Sequence, residues 1–110
     1  MDDAWPQQMR KGFAELCILI VLKRSENYGY AILAELSAFD ALSFSESTLY
    51  PVLSKMAGEG LLAVREGPSL RGRARRYYSL TAKGRARLKN LTVYWKALRA
   101  GLDDLLAGKG

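Results

Sequence analysis

Six apolar positions near the end of the chain, Leu88, Leu91, Trp95, Leu98, Leu102 and Leu105, recur at steps of three and four residues without a break. This is the spacing of a helix that lays one seam against another helix. Thr81 offers an oxygen to cap its start, so the pattern predicts a helix over 82–107. At about 1.5 Å per residue such a helix extends about 39 Å, whereas a globule of about 100 residues has a radius of gyration of about 13 Å. Much of the seam must be covered from outside its own globule. A second copy of the chain is the simplest cover, because closed two-fold dimers are the commonest soluble assembly. A bundle with the first helix of the same chain is the other arrangement, and it can cover only part of the stripe.

The remaining residues suffice for one small domain. The chain has 110 residues, 49% of them hydrophobic, which excludes a disordered or low-complexity molecule. Its longest strongly apolar run, 16–22, is too short to span a bilayer or to serve as a secretory leader, so a cytoplasmic protein without membrane association is expected. Cys17 lies in that run, has no partner for an internal disulfide, and reads as a small core hydrophobe.

Residues 12–24 carry Phe13, Leu16, Cys17, Ile20 and Val21 on one helical stripe, and Asn27 is placed to cap a second helix through Ile32, Leu33 and Leu36. A third helix begins at Glu46, turns Leu49, Val52, Leu53 and Met56 inward, and closes at Gly58 and Gly60. Proline inside a helix costs about 3 kcal/mol. The expected cap is therefore Ser47 or Thr48, leaving Pro51 in or near the first turn. Strands are expected at 61–66 and 76–81, joined by a Gly-, Pro- and Arg-rich tip, with Tyr77 and Tyr78 facing opposite ways. Three helices followed by a hairpin is the order of a winged helix-turn-helix. The fold expected is mainly α with a small β-hairpin, in which 1–81 form a DNA-binding unit and 82–110 a dimerisation helix.

Charge placement points the same way. Residues 65–89 hold nine of the seventeen basic side chains against one acid, Glu66, and the rest of the chain is slightly acidic. A concentrated basic block suits a polyanion, since each phosphate neutralised releases condensed counterions. With its apolar residues turned inward, the third helix presents Ser47, Pro51 and Ser54 outward, flanked by Thr48, Tyr50 and Lys55. This face lacks Arg, Asn and Gln, the usual bidentate readers of base edges, so direct base contacts should be few. Arg71, Arg73, Arg75 and Arg76 in the hairpin are candidates for phosphate or minor-groove contacts. Tyr30 is open to two readings, backbone contact or core packing.

These residues carry a family resemblance. NYGYAI (27–32), STLYPVL (47–53) with EGLL (59–62), RGRARRYYSLT (71–81) and the Gly84 helix containing Trp95 together resemble PadR-type regulators of the short subfamily with one C-terminal helix. Ala74 departs from the pattern, standing where such proteins often have proline. The resemblance implies a homodimeric repressor on an inverted-repeat operator in double-stranded DNA. In some relatives a small aromatic or phenolic effector, bound between subunits, releases the DNA, and Trp95 stands where such a relative's aromatic would lie. An indole among leucines can hold two helices apart around a flat ligand, or it can pack against the partner's first helix.

The absence of histidine and of a cysteine cluster removes the usual general base and most metal-ligand sets. No catalytic residue, metal or cofactor is expected. The alternative function is a dimeric adaptor or small-molecule carrier whose basic hairpin meets an acidic protein.

Overall fold

The computed structural model describes residues 5–68 and 74–109. In chain order these form α1 (Trp5–Lys11), α2 (Ala14–Arg24), β1 (Asn27–Tyr28), α3 (Gly29–Ser37), a 3-10 turn at Asp40–Leu42, α4 (Glu46–Gly58), β2 (Leu62–Gly67), β3 (Arg75–Leu80) and α5 (Ala82–Leu106). This is the expected winged helix with a long C-terminal helix.

The hub is α2, which is apolar nearly all round. Ala14, Ile18 and Leu19 are fully buried, with Cys17, Val21 and Leu22 close behind. They share one core with Ile32 and Leu36 of α3, Leu49, Leu53 and Met56 of α4, Leu62, Tyr78 and Leu80 of the sheet, and Leu88 of α5. The stripe read from 12–24 is corrected accordingly. Phe13, Leu16 and Ile20 lie on a second edge of the helix, where Ile20 is 43% exposed. A run with so few polar residues has no unique apolar face, and periodicity cannot say which face is covered.

The sheet has three strands in the order β1-β3-β2, all antiparallel. Asn27 is therefore a strand residue paired with Tyr78, and its side chain accepts from the Tyr28 N–H at 3.0 Å. The expected cap at Asn27 is not formed; Tyr28 precedes α3 without a side-chain cap bond. A two-residue strand offers no period to detect. Tyr78 is buried and Tyr77 is half-buried on the opposite face, as strand alternation requires.

The cap of α4 also differs from expectation. Ser45 precedes the helix, and its carbonyl accepts from the Thr48 and Leu49 N–H groups at 3.1 and 3.0 Å. Pro51 consequently lies inside the helix rather than in its first turn. Both Pro51 and Ser47, whose carbonyl would have received the missing N–H, are exposed, so water can take the freed oxygen. At the other end Gly60, with φ 78°, closes the helix. Its N–H bonds Ala57 O at 3.1 Å and the Leu61 N–H bonds Met56 O at 2.9 Å, the paired bonds of a Schellman ending.

Thr81 caps α5 as expected: its Oγ1 accepts from the Gly84 N–H at 3.0 Å and donates to Gly60 O at 2.6 Å. One hydroxyl thereby ties the long helix to the end of α4. Along the leucine stripe Leu88 is buried, Leu91, Trp95 and Leu98 are half-buried, and Leu102 and Leu105 are 48% and 69% exposed. The distal turns project beyond the globule, and the molecule is 56 Å long with a radius of gyration of 15.8 Å.

Candidate nucleic-acid interface

The outward face of α4 carries Ser47, Tyr50, Pro51, Ser54 and Lys55, all exposed, with Thr48 half-buried beside them. Burial of Leu49, Leu53 and Met56 on the other side fixes this orientation. The hydroxyls are organised locally, since Ser45 Oγ lies 3.0 Å from Ser47 Oγ and donates to Thr48 Oγ1 at 3.1 Å.

A cleft of about 410 Å³ joins this face to the wing. It is lined by Tyr28, Gly29 and Tyr30 at the start of α3, Tyr50 and Ser54 of α4, and Arg75, Arg76 and Tyr78 of β3. The antiparallel return of β3 past β1 makes the cleft possible, because it sets both arginines beside α3. Gly29 lets α3 approach α4 closely: a methyl group there would overlap the Tyr50 ring. Partial burial and the neighbouring Glu46 push the Tyr50 hydroxyl above its ordinary pKa, so it remains a hydrogen-bond donor at neutral pH. Tyr30, left open between core and surface, is 61% exposed.

On the outer face of the sheet, aromatic rings and guanidinium groups alternate. Arg65 donates Nε and Nη2 to Glu26 at 2.7 and 2.5 Å, holding the Glu26 carboxyl below the usual carboxylate range. The Arg65 guanidinium also lies 4.8 Å from the Tyr77 ring centre. Tyr77 meets Tyr28 edge to face at 5.7 Å, and the Arg75 guanidinium stands 4.1 Å over the Tyr28 ring. Sequence reasoning found Arg75 but missed Tyr28 and Arg65. The available signal was the matched spacing of Tyr28, Tyr77 and Arg65 across three short strands, and it needs the register to be read.

The structure thus brings Tyr30, Tyr50, Ser54, Arg75 and Arg76 to one cleft, with Ser47, Thr48, Pro51 and Lys55 along the adjoining helix. Arg71 and Arg73 lie outside the described residues. The basic block of the sequence divides in two. Its second half sits on α5, where Lys83 Nζ donates to Glu59 O at 2.7 Å and Arg87 pairs with Glu15 at 2.6 Å.

The transcriptional regulator PadR-like family matches residues 18–90, from the middle of α2 into α5. This chain is a member of the PadR family. A PadR-like transcription factor from Bacteroides fragilis shares 35% identity, with 94% of this chain and 99% of that one covered and a TM-score of 0.75. A PadR-like transcriptional regulator from Bacillus cereus is 33% identical over 90% of this chain and 96% of that one, with a TM-score of 0.80. An uncharacterised protein of Lysinibacillus sphaericus is 29% identical over 100 residues, 89% of this chain and 92% of that one. The sequence resemblance and the solved folds agree.

A second surface of this PadR-family protein is apolar. Trp5, Met9, Phe13, Leu16, Ile20 and Trp95 line a groove of about 450 Å³ between α1, α2 and α5. Trp95 meets Phe13 of its own chain edge to face at 5.4 Å. The helix α1, to which sequence reasoning gave no element, leaves Trp5 and Met9 65% and 61% exposed. Among the described residues no helix is long and apolar enough to cross a membrane, and no three His, Cys, Asp or Glu side chains gather where they could hold a metal.

Proposed function

We propose that this PadR-family chain is a homodimeric transcriptional repressor that binds an inverted-repeat operator in double-stranded DNA. One observation carries the reading: the hydroxyl-rich face of α4 and the wing arginines Arg75 and Arg76 open onto a single cleft. In use, α4 enters the major groove, where Ser47, Thr48, Ser54 and Lys55 touch base edges or phosphates and Tyr50 and Pro51 meet thymine methyl groups. Tyr30 contacts the backbone, and Arg71, Arg73, Arg75 and Arg76 grip phosphates or the minor groove.

Residues 1–81 serve as the DNA-binding unit and 82–110 as the dimerisation helix. The boundary at Thr81 is one of role, because Leu88 shares the core of the first unit. Dimerisation covers Leu91, Trp95, Leu98, Leu102 and Leu105, completing the seam that Leu88 begins. It also sets the partner's α5 over the apolar groove, which takes a small aromatic or phenolic effector against Trp95. The groove's apolar lining and size suit such a ligand. No chemistry is assigned to the chain, and its place of action is the cytoplasm.

Selection of bound duplexes from a random DNA pool tests this function. Two inverted half-sites are expected, with centres about 10 to 10.5 bp apart or a multiple of that. Recovery of one unrepeated half-site overturns the dimeric inverted-repeat reading, and no enrichment at low salt overturns DNA binding itself and favours an adaptor that binds acidic protein.

A further inference from the structure

Arginines on a wing are usually treated as flexible charges that find phosphates on their own. Arg75 is different, because its guanidinium already lies against a ring whose backbone is fixed twice. Tyr28 pairs with Tyr77 in the sheet and also forms the N-terminal flank of α3. The ring is held edge to face by Tyr77, which is in turn faced by Arg65, and Arg65 is clamped by Glu26 through two hydrogen bonds. A line of contacts therefore runs from an ion pair at one side of the sheet to Arg75 at the mouth of the cleft.

The two ends of this line differ in chemistry. Arg65 spends its donors on a carboxylate, whereas the ion pairs among the described residues do not include Arg75. A guanidinium whose central carbon sits over an aromatic face keeps its five N–H groups in its own plane, and those turned from the ring can meet a phosphate, two at a time. Holding the group there before DNA arrives reduces the side-chain entropy lost on binding.

We propose that Tyr28 is a positioning residue for Arg75, presenting its guanidinium edge-on to a backbone phosphate of DNA seated at the cleft between α3, α4 and β3. The assignment rests on the DNA-binding reading above. It also makes Tyr28 the link between helix and wing, since one residue flanks the start of α3 and orients an arginine of β3.

A double-mutant cycle on operator binding tests it. Tyr28→Leu is expected to weaken binding about fivefold when Arg75 is present, the scale of a cation–π contact, and by less than about twofold in an Arg75→Ala background. Tyr28→Phe, which keeps the ring, should bind like wild type. Equal losses in both backgrounds, or a loss with Tyr28→Phe matching that with Tyr28→Leu, overturn the proposal.

A second measurement needs no variant at Tyr28. In the NMR spectrum of the DNA-free wild-type dimer, the Arg75 side-chain N–H should be displaced upfield by the ring. A shift at the free-arginine position overturns the proposal even if Tyr28→Leu fails to fold. Wild type that binds no duplex at low salt, with the displaced signal present, sinks the DNA-binding reading and with it the phosphate role, while the ring contact stands.

Discussion

Gly84 shows how closely a single side chain can control this fold. It lies in the first turn of α5, and a β-carbon there would overlap the backbone carbonyl oxygen of Leu61. That oxygen already accepts from the Thr81 N–H at 3.2 Å and stands 3.1 Å from Thr81 Oγ1, so it has no freedom to move aside. Gly84→Ala would normally favour a helix, but here overpacking against backbone outweighs the gain in propensity. The expected cost is about 2 kcal/mol, a fall in Tm of roughly 10 °C at fixed protein concentration. Unchanged thermal unfolding would mean that the α5 start is looser than this contact implies. Cys17 follows simpler logic: burial pushes its thiol above the ordinary value, which suits a core hydrophobe rather than a reactive group.

At the scale of elements, α5 divides between two tasks. Its proximal half is fastened to α2 by Leu88 and the Arg87–Glu15 ion pair, and its distal half presents Leu102, Leu105 and Leu106 with little cover. The double variant Leu102→Lys with Leu105→Lys should leave the fold intact, because neither side chain enters the core. It should convert the proposed dimer to monomer at micromolar concentration, read by sedimentation, since two charges would be buried in an apolar seam. A dimer that survives would place the interface elsewhere, the groove beside α1 being the first alternative.

This division explains what the sequence could reveal. Long periodic features were legible: the helix that carries the leucine stripe, the buried face of α4, the Thr81 cap and the two strands that flank the Arg-rich stretch all stand where the pattern put them. The failures were local and each had a competing cause. Asn27 looks like a cap because its side chain suits one, but two residues of pairing with β3 decide otherwise. Pro51 argued for a late helix start, but the inward turn of Leu49 and Leu53 holds the helix from Glu46, and an exposed proline is tolerated. Ile20 falls on the apolar stripe by period, but the helix is too apolar for period to discriminate its covered face. The Tyr28–Arg75 contact depends on strand register, which no single segment contains.

For the whole molecule, placement of charge matters more than its total. The chain carries +6, and a long-range view would let every cation contribute equally to DNA binding. The structure divides them instead. Arg76 faces the cleft and lies 5.8 Å from the Tyr78 ring centre, whereas Arg87 is engaged by Glu15 on the α2–α5 side. Arg76→Gln and Arg87→Gln remove the same formal charge, so they separate the two views. Phosphate contact by Arg76 in both protomers implies a log–log salt slope shallower by about 2, from about 0.9 per phosphate. Arg87→Gln should leave the slope at the wild-type value, with any loss confined to stability. Equal flattening by both substitutions would mean that DNA responds to net charge alone, and the cleft between α4 and the wing would lose its claim to the duplex.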